Sequence, residues 1–188
     1  LLIHGLGEHS RRYSHVAKML ADAGYITSTF DLRGHGKSDG KRGHTPSFDA
    51  VMEDISIFIS ESVSRYPGIP LFLYGHSLGG LYVLNFVARN KPKINGLIVT
   101  GPGLRNELES QRVKIAFINL LGSIFPTLTL PSGLDANQLS RDNSVVEAYV
   151  NDPLVHDRVS LSAAKTTLPA INWAFDHAQD IQDPMLIM

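Results

Sequence analysis

The serine at position 77 has the neighbours that a catalytic nucleophile needs. It lies within the sequence Gly-His-Ser-Leu-Gly at residues 75–79, which fits the pattern G-x-S-x-G. A serine at a sharp turn from a strand into a helix projects its Oγ above a sheet, and small residues two positions to either side let the backbone pass. The helix that begins there directs its positive end at negative charge that develops on a substrate.

The elements on either side of Ser77 are those that such a turn requires. Residues 71–74 form an apolar run, which predicts a buried central strand, and residues 78–89 are expected to form a helix. The motif alone is weak evidence in a glycine-rich chain, where its alternative is an ordinary serine in a tight turn. Because both flanking elements are present, the context favours nucleophilic acyl transfer at Ser77.

An acyl-transfer site also needs donors for the oxyanion that forms during attack. We expect one donor to be the backbone N–H of Leu78, the residue after the nucleophile, and the other to come from the loop after an earlier strand. The sequence His-Gly-Leu-Gly at residues 4–7 follows the first predicted strand. The N–H of Leu6 is therefore the candidate second donor, and the alternative is that these glycines only form a tight turn.

Short apolar runs alternate with longer amphipathic runs over residues 1–100, which predicts an α/β fold with a mostly parallel central sheet flanked by helices. Strands are predicted at residues 1–4, 25–30, 71–74, 96–100 and from 184 onward. Helices are predicted at residues 13–23, from 48 after a Ser47 cap, 78–89, 109–121, 144–150 and 168–177.

The alternation breaks after residue 103, which divides the chain into three parts. Residues 1–103 are the expected N-terminal part of the core, residues 104–169 an insertion over the sheet, and residues 170–188 a return helix with the start of the next core strand. The insertion is unusually apolar over residues 113–130, a composition that suits core packing, a substrate tunnel or a lipid surface. It lacks a Lys/Arg-rich face, so we expect any membrane contact to be transient.

The composition excludes several other classes of protein. The 188 residues have a net charge of -1, which gives no basic field for nucleic acid, and no cysteine for a disulfide or a thiol nucleophile. No clustered ligand set suggests a metal, and no G-x-G-x-x-G follows a strand to suggest a nucleotide cofactor. No apolar run is long enough to span a bilayer and no signal peptide is apparent, so a cytoplasmic location, peripheral to a membrane at most, is expected.

Five stretches occur together in an order that resembles a known family: residues 4–13, 31–38, 75–80, 139–142 and 151–155. They resemble the monoacylglycerol lipase and lysophospholipase branch of the α/β-hydrolases, also labelled serine aminopeptidase-like. The first and last stretches are far more specific than G-x-S-x-G, which is common to the superfamily. The resemblance covers nearly the whole chain and implies an α/β-hydrolase fold whose helical cap forms an acyl-chain tunnel, with Ser77 at its base.

The same resemblance implies a lipid ester substrate, with monoacylglycerol cleaved to glycerol and a fatty acid through an acyl-Ser77 intermediate. The polar end of the substrate would then be held near the oxyanion loop by Glu8, Arg12, His76 and Tyr149. For Glu8 and Arg12 the alternative is a structural ion pair that fixes the loop. For His76 the alternative is packing beside the turn.

A catalytic serine needs a histidine base and an orienting acid, which follow it in this fold in the order acid, then histidine. The resemblance places the acid after the strand that begins at Pro184, and the histidine later still, so both are expected beyond Met188. Both ends of the chain fall within apolar runs, which indicates a fragment.

The two histidines that follow Ser77 in the chain, His156 and His177, do not fit the role of the base. Neither follows an acid at the end of a core strand, and surface or capping roles are expected for them.

Four other functions remain open beside monoacylglycerol hydrolysis. A lysophospholipase and a short-chain carboxylesterase or peptidase share the fold and its serine. A non-catalytic homologue used for binding is the alternative of another class, although the intact G-x-S-x-G turn and oxyanion loop disfavour it. The natural enzyme is expected to be active, whereas these 188 residues alone, lacking a base, are expected to be nearly inactive.

Overall fold

A parallel sheet flanked by helices forms the centre of the structure. The computed structural model describes residues 1–104 and 112–188, the side chains of 112–114 excepted. In chain order the elements are β1 (Leu2–Ile3), α1 (Ser14–Asp22), α2 (Phe48–Arg65), β2 (Phe72–His76), α3 (Leu78–Asn90), β3 (Gly96–Thr100), α4 (Arg112–Ile124), β4 (Thr129–Pro131), α5 (Asn143–Val150), β5 (Arg158–Ser160), α6 (Leu161–Asp176) and β6 (Met185–Ile187). Short 3-10 turns lie at Ser10–Tyr13, Ala136–Gln138 and Ala178–Asp180.

The sheet has the order β1-β2-β3-β6, and every neighbouring pair is parallel. Strand β2 therefore lies at the centre, between β1 and β3. Because parallel strands end at the same edge of a sheet, His76 at the end of β2 lies opposite Thr100 at the end of β3. This arrangement confirms the predicted α/β class and places Ser77 at the carboxyl edge of the sheet.

Helices α2 and α3 cover one face of the sheet. Their apolar side chains and those of β2 and β3 form one core cluster, whose buried members include Val51, Ile55, Leu73, Val83, Val87, Leu97 and Val99. The cap predicted for α2 is confirmed, because the Ser47 side chain accepts a hydrogen bond from the N–H of Ala50 at 3.1 Å. The core thus holds β2 and α3, the two elements that meet at Ser77.

The strand predicted at residues 25–30 is wrong. This segment meets β1 only at an isolated bridge between Leu2 and Thr29, and the N–H of Leu2 donates to the carbonyl of Ser28 at 2.9 Å. Two of its apolar side chains are more than half exposed, at 57% for Tyr25 and 51% for Ile26. Strand β1 has only two residues, so it offers the segment too short a ladder to form a strand.

Helix α1 has apolar residues at helical spacing, Val16, Met19 and Leu20, which predicts a buried face, but this face is not buried against the sheet. No residue of the helix is buried, and Met19 is 64% exposed. Spacing at 3.6 residues predicts which side chains share a face, but it does not tell which element covers that face.

The insertion contains a short antiparallel pair that the sequence does not predict. Strand β4 pairs with β5, with Leu130 opposite Val159. Helix α4 ends at Ile124, close to the predicted end, while residues 109–111 of its predicted start lie outside the described residues. Helix α5 begins at Asn143 and agrees with the predicted helix at residues 144–150.

Helix α6 is longer than the helix predicted at residues 168–177. It begins at Leu161, where the Ser160 side chain accepts a hydrogen bond from the N–H of Ala163 at 3.1 Å. Proline favours a helix start, but here Pro169 lies inside the helix and the Ser160 cap sets the beginning. The boundary between residues 169 and 170 falls within this helix, and the division into three parts stays a prediction.

Among residues 1–104 and 112–188, no helix combines the length and the apolar character needed to cross a membrane.

Candidate active site

The turn at Ser77 has the backbone of a strained strand-to-helix corner. Its φ of 51° and ψ of -116° lie in a region that a residue with a side chain rarely occupies. The N–H of Ser77 donates to the carbonyl of Thr100 at 3.0 Å, and the N–H of Gly103 donates to the carbonyl of Ser77 at 2.9 Å. These two bonds from neighbouring segments hold the strained residue in place.

The two glycines of the G-x-S-x-G pattern are required by close packing. A Cβ at Gly75 would clash with the backbone of Gly79, and a Cβ at Gly79 would clash with the carbonyl of Ile3 in β1. The turn therefore fits only if both positions lack a side chain. This is the physical reason for the spacing seen in the sequence.

The candidate oxyanion loop, residues 4–9 after β1, lies directly beside Ser77. A Cβ placed on Gly5 would be 3.1 Å from the Cβ of Ser77. Within the described part of the chain, neither the N–H of Leu6 nor that of Leu78 donates to an intramolecular acceptor. The structure thus brings the two predicted oxyanion segments together, while the role of their N–H groups stays a prediction.

The carboxylate of Glu8 fixes the oxyanion loop from within. Its Oε1 accepts hydrogen bonds from the N–H of Gly5 at 2.7 Å and from the hydroxyl of Tyr13 at 2.6 Å. Its Oε2 lies 3.4 Å from Nε of Arg12, so the structural ion pair is present in this structure. Burial, together with the adjacent Glu8 carboxylate, raises the pKa of Tyr13, which keeps this hydroxyl a donor.

Two further predicted residues, Tyr149 and His76, contact the cluster formed by Glu8, Arg12 and Tyr13. The guanidinium of Arg12 lies 4.7 Å from the ring centroid of Tyr149, which comes from α5 of the insertion. His76 bonds through Nδ1 to Oγ1 of Thr100 at 2.9 Å, and its ring centroid lies 6.0 Å from that of Tyr13. The predicted residues therefore form one connected group beside Ser77, and their contact with a ligand stays a prediction.

Among the described residues, no histidine ring is hydrogen-bonded to Ser77 Oγ. All eight lie within the described residues, and the recorded hydrogen bonds of their rings go to groups other than Ser77 Oγ. His177 bonds to the carbonyl of Trp173 near the end of α6, as expected for a capping histidine. His156 is half-buried instead of lying at the surface, because its Nε2 donates to the carbonyl of Gly34 at 3.1 Å while its Nδ1 accepts from Arg158.

The rings of His4, His35 and His156 lie in a row that begins at the first residue of the oxyanion loop. The centroids of His4 and His35 are 5.4 Å apart, and those of His35 and His156 are 4.7 Å apart. Burial, and then the neighbouring His4, lower the pKa of His35 to about 3. The row therefore consists of neutral rings at physiological pH.

Sequence reasoning missed a contact between the insertion and the oxyanion loop. Nε2 of His9 lies 2.8 Å from Oδ2 of Asp152, and the N–H of His156 donates to the carbonyl of Gly7 at 2.8 Å. The only signal in the sequence was the specific Asn-Asp-Pro-Leu stretch at residues 151–154. A motif of this kind marks an important segment, but it does not name the distant residue that the segment contacts.

The comparisons with known proteins agree with this geometry. The sequence model of the family described as "Serine aminopeptidase, S33" matches residues 1–188. The monoacylglycerol lipase of Mycolicibacterium smegmatis is 35% identical over 156 residues, which cover 83% of this chain and 55% of that protein. Phospholipase YtpA of Bacillus subtilis is 30% identical over 190 residues, covering 100% of this chain and 73% of that protein.

A solved structure is similar throughout. The crystal structure of the monoacylglycerol lipase of Paleococcus ferrophilus is 40% identical, gives a TM-score of 0.90 and covers 99% of this chain and 70% of that one. The chain spans about half the length of the curated monoacylglycerol lipases that it matches, 55% for the mycobacterial and 50% for the human protein. With a family match over its entire length and this structural similarity, the chain belongs to the serine aminopeptidase S33 family and has the α/β-hydrolase fold.

Proposed function

We propose that this chain is the nucleophile-bearing part of a serine hydrolase that cleaves lipid esters, with monoacylglycerols as the preferred substrates. One observation carries the proposal: Ser77 occupies a strained corner at the carboxyl edge of the sheet, with the oxyanion loop in contact with it. Strain of this kind costs free energy in the folded state, and it is found where a side chain must be held for chemistry.

The proposed reaction has two acyl-transfer steps. The Oγ of Ser77 attacks the ester carbonyl carbon, and the N–H groups of Leu6 and Leu78 stabilise the oxyanion. The tetrahedral intermediate collapses, the alcohol leaves with a proton, and an acyl-Ser77 ester remains. Water then attacks this ester and releases the fatty acid. The histidine and the acid that move the protons are proposed to lie beyond Met188, since the eight histidines here have other places in the structure.

The insertion supports an apolar acyl chain as part of the substrate. Along its described part, large apolar side chains are exposed: Phe117, Leu120, Ile124, Phe125, Leu128 and Leu130. Residues 115–124 of α4 contain no charged side chain. We assign this surface to the acyl chain and to brief contact with a lipid surface, because it has no cationic face to hold it at anionic lipid.

The polar cluster supports an uncharged headgroup. The positive charge of Arg12 is balanced by Glu8, whose carboxylate also accepts two hydrogen bonds from the loop. A phosphate would compete with Glu8 for the guanidinium, whereas the hydroxyls of glycerol can bond to either group without displacing the other. The similarity to a protein named phospholipase keeps lysophospholipids as the second candidate substrate.

The test is hydrolysis by the natural full-length protein that contains this sequence. A 1-monoacylglycerol, a lysophosphatidylcholine of the same chain length and p-nitrophenyl butyrate are compared by kcat/KM, and Ser77→Ala is measured beside them. We expect the monoacylglycerol to be preferred, and Ser77→Ala to lose about 10⁴-fold or more in kcat. Preference for the lysophospholipid or the short ester would support that alternative. Absence of both turnover and fluorophosphonate labelling at Ser77 would support the non-catalytic alternative.

The 188-residue chain by itself is proposed to be nearly inactive, because no base is placed at Ser77. The same assay on the isolated chain tests this. Turnover at the rate of the full-length protein would contradict it, whereas a weak residual rate would not.

A further inference from the structure

One segment of the insertion, residues 149–156, lies against the outer side of the oxyanion loop. Two hydrogen bonds join them, one between the His9 ring and the Asp152 carboxylate and one from the N–H of His156 to the carbonyl of Gly7, each 2.8 Å long. Gly7 has a φ of 76°, and a Cβ there would clash with the carbonyl of His156. The loop and the segment are therefore in direct contact, and a displacement of either would break these contacts.

Asp152 is itself firmly placed. Its Oδ1 accepts the N–H of Leu154 at 2.9 Å, and its backbone N–H donates to the carbonyl of Tyr149 at 3.3 Å. Burial alone would raise the pKa of the Asp152 carboxyl, but the hydrogen bonds from His9 and Leu154 lower it overall. The carboxylate is thus charged at physiological pH and already oriented toward His9.

The ring of His9 depends on this single carboxylate. Its side chain is 5% exposed, and its other nitrogen, Nδ1, is buried with no hydrogen-bond partner among the residues that the structure describes. The backbone carbonyl of His9 accepts the N–H of Arg12 at 3.2 Å and starts the 3-10 turn that follows the loop. A shift of the His9 ring would therefore be passed to the C-terminal end of the loop.

We propose that Asp152 is a positioning residue for acyl transfer: through His9 it holds the loop that carries the N–H of Leu6 at the distance the oxyanion requires. The inference rests on the proposed function. Asp152 does not touch the reacting atoms, and it lies 143 residues from its partner in the sequence. Its loss would weaken the stabilisation of the transition state and leave binding of the ester nearly unchanged.

The test compares three variants of the natural full-length protein with the unaltered protein. Asp152→Ala removes the carboxylate. Asp152→Asn keeps an oxygen for the N–H of Leu154 and an amide that can donate to Nε2 of His9. Asp142→Ala is the matched control, because Asp142 also accepts a backbone N–H, that of Ser144 at 2.9 Å, but at an exposed site at the start of α5.

For Asp152→Ala we expect kcat for a monoacylglycerol to fall about 30-fold with KM changed less than about twofold, since loss of one oxyanion donor costs about 10²–10³-fold and the loop is displaced only in part. The affinity for an alkylboronic acid, which forms a tetrahedral adduct with a serine, should fall by the same factor as kcat. Asp152→Asn should recover at least a third of the rate, and Asp142→Ala should retain it.

A purely structural role for Asp152 would give a different pattern. If Asp152→Ala lowers the thermal midpoint but leaves kcat and the boronic acid affinity as in Asp142→Ala, the inference is wrong. It is also wrong if KM rises while kcat holds. If the unaltered protein turns over no ester at all, both the proposed function and this inference are wrong. If the unaltered protein is active and only the variants depart from the expected pattern, this inference alone is wrong.

Discussion

Gly79, in the first turn of α3, packs against the carbonyl group of Ile3 in β1, so closely that no side chain fits between them. The contact joins the helix that starts at the nucleophile to the strand that ends at the oxyanion loop. Two segments that are distant in sequence are therefore set at a fixed separation by backbone alone. The spacing between Ser77 and the loop depends on the absence of one methyl group.

Gly79→Ala should destabilise the protein and disturb the site together. We expect the free energy of unfolding to fall by about 2–3 kcal/mol, because the added Cβ must push backbone aside. Urea unfolding measures this, and fluorophosphonate labelling at Ser77 should slow. Gly103→Ala is the control, since a Cβ there would meet Ser77 and Leu78 only at 3.5 Å or more. Equal destabilisation by both variants would contradict the explanation.

The strain at Ser77 predicts that a glycine there stabilises the protein while abolishing activity. Glycine adopts a φ of 51° and ψ of -116° without the steric cost that serine bears. The strain at such a residue costs about 1–3 kcal/mol, and glycine removes it. Glycine also loses about 0.5–1 kcal/mol more backbone entropy on folding, so we expect the free energy of unfolding to rise by about 1 kcal/mol. Ser77→Ala keeps the Cβ and should show no such gain. A glycine variant no more stable than the alanine variant would mean that the turn is unstrained.

The parts of the site that sequence predicts are those set by local backbone chemistry. The Ser77 turn follows from residues 75–79 and the runs beside them, and the strand at residues 96–100 is found at its predicted bounds. The segment at residues 25–30 has a strand's composition, but pairing needs a partner, and β1 offers only one bridge. Local pattern does not report the length of a neighbouring strand.

The contacts between distant segments could not be predicted for the same reason. The bond between His9 and Asp152 and the row of histidine rings join the loop after β1 to the insertion. The residues that form these contacts are all polar, and each has an ordinary local role in a turn. Only the folded chain shows that these turns meet.

The neutral histidine row predicts an acid-sensitive fold. The pKa of His35 is lowered to about 3 from the ordinary value of 6.5, so between these values the unfolded chain binds a proton that the folded chain does not. Stability therefore falls as pH drops from 6.5 toward 3, and in the middle of this range the slope approaches one bound proton for this one group. The pKa of His4 is also lowered, chiefly by burial, and adds in the same direction.

Replacement of the ring tests this assignment. His35→Asn keeps a donor for the carbonyl of Arg33, which Nδ1 contacts at 3.0 Å, but cannot be protonated. Between pH 6 and 4 the slope of unfolding free energy against pH should fall by about one proton equivalent. The carboxylates, whose ordinary pKa values lie at about 4, are the same in both proteins, so their contribution to the slope cancels in the comparison. An unchanged slope would show that the row is not the source of the acid sensitivity.

The exposed apolar face of α4 predicts a difference between lipid-borne and dissolved substrates. Leu120 is 63% exposed and Ile124 is 60% exposed, and they lie four residues apart on one side of the helix. Replacing both with serine should weaken binding to vesicles about tenfold, because each leucine or isoleucine contributes about 1.5–3 kcal/mol when fully buried and only part of it enters a lipid surface. The rate on monoacylglycerol in neutral phosphatidylcholine vesicles should fall with it, while the rate on p-nitrophenyl butyrate in solution stays the same.

The control for this double variant is Asn119→Ser, which is on the same helix and also exposed. A fall on both substrates would place these side chains in the acyl-chain site instead of at the lipid surface.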